Sequence, residues 1–202
     1  MDYYFFSLVN NLAGRHPGVD VLMRLAATYL PLAGVAILAG VWWWPQVPAA
    51  RERARRVVMY AVLAVMVGLG ANQVIGTIWF RPRPFAGHEV TLLLGRSPDP
   101  SFPSDHATFT TAMAALFSLA RHPGSRVLWL VTVLVGFARV FCGTHYPGDI
   151  LGGVGTGALA AGLVWVVRGR LEPAVAGVLS VLPGGRKGFP CAHGRGAGGK
   201  SV

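Results

Sequence analysis

A handful of polar residues in an otherwise apolar chain have the types and spacings that phosphorus chemistry needs. Arg81 and Arg83 close a hydrophobic run, and Ser104, Asp105 and His106 are consecutive. Five residues separate Arg139 from His145, and three separate His145 from Asp149. Guanidinium forks match phosphate oxygens bidentately, and an imidazole can attack phosphorus or deliver a proton. Ser104 suits the N-cap of a helix opening at Asp105, so the first N–H groups and the positive end of that helix would face the same anion. Such a set acts only if separate elements bring it together at one surface.

Those elements are membrane helices. Of 202 residues, 53% are hydrophobic and 13% charged, where a soluble domain averages about 25% charged; mean hydropathy is +0.50. The 27 glycines and six tryptophans fit helices that pack closely in lipid and rings that sit at headgroup level. Two cysteines, Cys142 and Cys191, exclude a disulfide framework and a cysteine metal cluster. The net charge of +10 is nearly all arginine. With this hydropathy it reads as cytoplasmic anchoring loops, and no nucleic-acid partner is expected. The opening residues lack the basic start and small-residue cleavage site of a removable signal peptide.

Twenty-six uncharged residues lie between Arg24 and Arg51, and 24 between Arg56 and Arg81, each enough for the ~20 residues of a spanning helix. Residues 104–121, 126–142 and 150–167 supply three more spans, the last opening with the small pairs Gly148/Gly152 and Gly153/Gly157. Residues 2–23 mix aromatic and polar groups and read as an interfacial helix. The expected fold is an all-α integral-membrane bundle of five transmembrane helices, or six if that segment also spans. Residues 1–170 then form one membrane-embedded domain, and residues 171–202 a Gly-rich basic tail expected to be disordered.

Twelve of the 18 basic residues fall at one set of helix ends: Arg51 to Arg56, Arg121, Arg126, Arg168, Arg170 and the tail. The positive-inside rule makes those ends and the C-terminus cytoplasmic, in a multi-pass protein of the cell (inner) membrane. Arg15, Arg24, Arg81, Arg83, Arg96 and Arg139 lie on the disfavoured outer side, together with the two histidines.

The ordered motifs Arg83-Pro84, Pro103-Ser104-Asp105-His106 and Arg139…His145…Asp149 resemble the type 2 phosphatidic acid phosphatase superfamily of membrane lipid phosphatases. The wording SFPSDHAT and RVFCGTHYPGDI is similar to the undecaprenyl-diphosphate phosphatase (bacitracin-resistance) branch. The resemblance implies His145 as a nucleophile forming a phosphohistidine, Asp149 holding its other ring nitrogen, and His106 as general acid and then base. It implies that Arg83, Arg139, Ser104 and the helix-start amide of Asp105 bind the phosphate, with undecaprenyl diphosphate as substrate. Two departures stand out: the family's lysine position is Gly76, and the serine before Arg139 is Ala138. Arg81 is the candidate to supply the missing charge, with Asn72 a hydrogen-bond donor one turn from Gly76. No metal or cofactor is expected, since Glu89, Asp99 and Asp105 make no Mg²⁺ carboxylate cluster.

A phosphatidate or phosphatidylglycerophosphate phosphatase would use the same residues with a different lipid groove. A non-catalytic protein binding anionic lipid would need the arginines but not two histidines. Taken singly, Arg81 and Arg83 would be ordinary juxtamembrane arginines, and His145 with Asp149 an interfacial pair. Trp42, Trp43 and Trp44 read as an interface belt, and His16, His88, His122 and His193 as surface or loop residues. The basic-residue split predicts that a single-cysteine probe at Ser97 is labelled from outside and probes at Arg53 or Lys187 only from the cytoplasm. Labelling of position 97 from the cytoplasmic side alone would invert the topology.

Overall fold

The computed structural model describes residues 1–44 and 47–182. Their regular structure is entirely helical: α1 (Asp2–Asn10), α2 (Pro17–Trp43), α3 (Pro48–Ile78), α4 (Pro84–Gly87), α5 (Asp105–Leu119), α6 (Ser125–Phe141) and α7 (Pro147–Val181). Four of the seven open with proline, whose missing N–H costs nothing in the first turn and whose fixed φ is already helical. Among the described residues, α2, α3 and α7 are long and apolar enough to cross a membrane. The 15 residues of α5 and 17 of α6 reach only about 22 and 25 Å at 1.5 Å per residue.

Two sequence boundaries move. Residues 2–23 are not one interfacial helix, because α2 already begins at Pro17 and carries Arg24 in its second turn. Gly14, at φ +80°, reverses the chain after α1. Its N–H donates to both carboxylate oxygens of Asp20 (3.1 and 3.2 Å), and Asp20 lies in the first turn of α2, where a negative charge is favoured. The other boundary is the expected tail. Residues 171–181 continue α7, with Val175 and Leu179 buried in the same apolar cluster as Val58 and Tyr60. Glu172 fixes this stretch: it accepts from the Tyr60 hydroxyl at 2.5 Å and pairs with Arg56. Residues 183–202 lie outside the described residues.

The bundle is organised around α5, which packs against α3, α6 and α7. Its buried positions, from Ala107 and Thr108 to Leu116 and Phe117, run around the whole helix, as for a helix enclosed by others. Contact between α5 and α7 is backbone to backbone. A Cβ on Gly153 would sit 2.5 Å from the Ser104 carbonyl oxygen, and one on Gly157 would sit 2.6 Å from that of Thr108. The Thr108 hydroxyl donates across the seam to the Gly153 carbonyl at 3.1 Å.

At the opposite end of the bundle from Glu172, Asn10 ties three segments together. Its amide donates to the carbonyls of Thr91 (2.9 Å) and Phe141 (2.8 Å) and accepts from the Thr91 N–H (3.0 Å). Here α1, the loop after α4 and the end of α6 meet. Gly157→Ala is expected to destabilise the folded protein by about 1–3 kcal/mol, the range for overpacking a close contact. Gly155→Ala, two residues away where an added Cβ meets nothing, should be neutral or slightly stabilising. Thermal unfolding in detergent, with the two variants side by side, makes the comparison.

Candidate active site

His145 lies in the short connection between α6 and α7. The chain reverses at Gly143 (φ +80°), where a Cβ would come within 2.8 Å of the Thr91 carbonyl oxygen, so glycine is required on two grounds. Pro147 then starts α7 with Tyr146 as N-cap. His145 is only 2% exposed. Its Nδ1 stands 2.9 Å from the backbone carbonyl of Ser101. A carbonyl only accepts, so Nδ1 carries the proton and Nε2 keeps its lone pair. That lone pair faces two guanidiniums, Arg83 Nη1 at 3.3 Å and Arg139 Nη2 at 3.4 Å. Burial, with Arg139 and Arg83 beside it, pushes the imidazole pKa down and favours the neutral ring.

The expectation that Asp149 grips the other ring nitrogen needs correction. Asp149 Oδ2 is 3.7 Å from Nδ1, beyond hydrogen-bond range, and the Ser101 carbonyl takes that place. Asp149 is completely buried and otherwise satisfied. Its Oδ2 accepts from the Ser101 hydroxyl (2.5 Å) and from the Tyr146 N–H (2.8 Å), closing the first turn of α7. Its Oδ1 accepts from Arg81 Nη1 at 2.6 Å. Ser101 therefore orients both residues, with its carbonyl on His145 and its hydroxyl on Asp149.

Arg81 also departs from expectation. Its second nitrogen pairs with Asp2 at 2.7 Å, and the guanidinium lies 4.4 Å over the Tyr146 ring. Both terminal nitrogens of Arg81 are thus committed to Asp149 and Asp2, in place of the phosphate contact expected of it. At Gly76 a Cβ would meet Pro100 at 3.1 Å, and the helix backbone there packs directly on the loop. Asn72 donates to Asp105 Oδ1 (2.7 Å) and to the Thr108 hydroxyl (2.9 Å), turning the Asp105 carboxylate toward α3.

Two buried polar atoms at this end of α5 and α6 are left for an anion to use. Ser104 is the N-cap of α5, but its hydroxyl makes no capping bond and is buried without a partner; Arg139 Nε is likewise buried and unpaired. Arg83 is steadied by the Asp99 carbonyl (3.0 Å) and the Thr144 carbonyl (3.3 Å), which leaves it one nitrogen free. His106, in the first turn of α5, feels the charges of Arg139, His145 and Arg83, and its ring makes no hydrogen bond among the described residues. The fold therefore brings Arg83, Ser104, His106, Arg139 and His145 around one space, with Asp149 behind. Among the described residues no three histidine, cysteine or acidic groups gather as a metal site would require.

Sequence reasoning missed Ser101, Asp2, Thr144 and Tyr146. Ser101 stood inside SFPSDHAT, and Asp149 at the third position of a Pro-initiated helix was a readable capping signal. Asp2, 79 residues from Arg81, left no such trace.

Residues 57–173 match the PAP2 superfamily. Undecaprenyl-diphosphatase BcrC of Bacillus subtilis (strain 168) is 32% identical over 152 residues, 75% of this chain and 76% of that protein. Putative undecaprenyl-diphosphatase YbjG of Escherichia coli (strain K12) is 32% identical over 170 residues, 82% of this chain and 83% of that protein. The crystal structure of Aquifex aeolicus LpxE superposes with a TM-score of 0.63 at 25% identity, covering 80% of this chain and 93% of that one.

Arg81→Ala should destabilise the fold, by leaving the Asp149 charge buried and uncompensated, at a cost of about 3 kcal/mol. Adding Asp149→Asn should return part of that loss, so the double variant melts above the sum of the two single changes. Strict additivity in thermal unfolding would mean the two side chains are not coupled.

Proposed function

The chain belongs to the PAP2 superfamily, and on that premise we propose that it is a membrane phosphatase that converts undecaprenyl diphosphate to undecaprenyl phosphate and phosphate. The names of the relatives support the substrate. The observation that carries the chemistry is the His145 tautomer: a neutral ring with its Nε2 lone pair held between Arg83 and Arg139.

Nε2 attacks the terminal phosphorus, the phosphoanhydride P–O bond breaks, and the leaving lipid monophosphate takes a proton from His106. His106 then removes a proton from water, which attacks the phosphohistidine and releases inorganic phosphate while His145 regains its lone pair. Arg83, Arg139, the Ser104 hydroxyl and the α5 amides neutralise the equatorial oxygens, where phosphoryl-transfer catalysis gains most. Ser101 holds the ring, and Asp149 stands behind it.

In this reading α5 and α6 complete a five-helix bundle with α2, α3 and α7. The reacting groups open to the outer face, and the end carrying Arg51 to Arg56, Arg121, Arg126, Arg168 and Arg170 is cytoplasmic, as is the C-terminus. Phosphatidate and phosphatidylglycerophosphate, which the same residues would serve with a different lipid groove, are the substrates to set against the prenyl diphosphate.

The test is phosphate release by purified protein in detergent on these three lipids, with the prenyl diphosphate expected to give the highest kcat/KM. His145→Ala and His106→Ala should each lose at least ~10³-fold, and excess EDTA should leave the rate intact. Because burial lowers the His145 pKa, its neutral form persists below the ordinary 6.5. Activity limited by that residue is therefore full above its depressed pKa and falls only as pH drops through it. Near-wild-type turnover by His145→Ala would refute the nucleophile, and faster turnover of phosphatidate would reassign the substrate.

A further inference from the structure

Arg81 and Asp149 form a pair whose charges cancel. If nothing more were present, the back of His145 would face a neutral group while Arg83 and Arg139 press two positive charges on its front. Asp2 changes that balance. Its Oδ2 takes the second nitrogen of Arg81 at 2.7 Å, and its Oδ1 accepts the Gly148 N–H at 2.9 Å, in the first turn of α7. Asp2, Arg81 and Asp149 together carry one net negative charge.

The position of Asp2 is built. Four residues on, Phe6 is 1% exposed and packs edge-on against the Tyr146 ring at 5.6 Å between centroids. At the far end of the same helix Asn10 is pinned to Thr91 and Phe141. A bridge needed only to neutralise buried Asp149 would be complete with Arg81, and the added carboxylate answers a different need. Given the phosphohistidine route proposed above, the ring gains positive charge as Nε2 bonds to phosphorus, and the compensation has to come from the Nδ1 side.

We propose that Asp2 is a positioning residue for His145: acting through Arg81, it holds Asp149 in place and returns a net negative charge to the side of the imidazole away from the phosphate. The other charged or titratable groups around the ring are Arg83 on the loop after α3, Asp105 and His106 on α5, Arg139 on α6, and Tyr146 and Asp149 at the start of α7. None of these supplies an unbalanced negative charge behind it, since Asp105 is turned to Asn72 and Asp149 is matched by Arg81.

The experiment compares wild type, Asp2→Asn and Asp2→Glu as full-length protein in detergent. Phosphate release from prenyl diphosphate is measured, together with the ¹⁵N-imidazole titration of His145 assigned against His145→Gln. In Asp2→Asn kcat should fall roughly 10- to 100-fold, the scale of a slightly displaced reacting group, with KM within twofold. The His145 titration should move to lower pH, because a cationic ring has lost its compensating charge, and Asp2→Glu should restore most of both. An unchanged titration with unchanged kcat overturns the proposal. So does a loss that scales with the folded fraction in all variants, or one that falls on KM alone. A wild-type protein that releases no phosphate would instead refute the function proposed above, while the histidine titration still reports whether Asp2 acts on the ring.

Discussion

A carboxylate removed completely from water in the interior of an apolar bundle is stable only where opposite charge and hydrogen-bond donors surround it. Asp149 is that carboxylate, and the architecture near it reads as the set of conditions for its burial. Arg81 supplies the charge, Ser101 a hydroxyl and Tyr146 an N–H. Its own backbone carbonyl receives the N–H of Ser104 at 3.0 Å, which sets the start of α5 against the start of α7. The Ser104 end of α5 is thus placed by the residue that lies behind His145. A change at Asp149 reaches both faces of the site through separate bonds.

The glycine seam sets the distance between those two helix starts. With Gly153 against the Ser104 carbonyl and Gly157 against that of Thr108, α5 and α7 approach until backbone meets backbone. Ser104 and His106 at one helix start, and His145 and Asp149 at the other, are then held by main chain and not by long side chains. Arg83 and Arg139 are the long members of the site, and each reaches His145 Nε2 from a different element. Short residues on rigid helix ends, with arginines arriving from the sides, leave the site preorganised.

Much of this was legible in the residues alone. The Ser104 start of α5, the meeting of Arg83, Arg139 and His145, and the small-residue face of α7 follow from local rules of capping, charge placement and packing. What stayed hidden depends on long-range pairing. Arg81 was read from its distance along the chain to Arg83, whereas its partners Asp2 and Asp149 lie 79 and 68 residues away. The Ser101 carbonyl carries no side-chain signature, so a backbone atom displaced the carboxylate expected on Nδ1. The continuation of α7 beyond Arg170 was missed for a related reason. Residues 171–181 are too short to span, but Val175 and Leu179 find an apolar cluster on α3 that only the folded bundle provides. The start of α2 at Pro17, by contrast, was announced by a proline and by Asp20 three residues later, and a hydropathy criterion that broke at Arg24 passed over both.

The bond between Asp2 and the Gly148 amide joins residues 146 apart in the chain, and its consequence is one of timing. Translation proceeds from the N-terminus, so α1 is made before every intervening helix. Until the start of α7 emerges, Arg81 has neither Asp149 to neutralise nor Tyr146 to cover, and His145 has yet to be synthesised. Partly made chains therefore hold Arg81 and Arg83 before His145 and Asp149 exist, and the site comes together late, as a property of the finished chain.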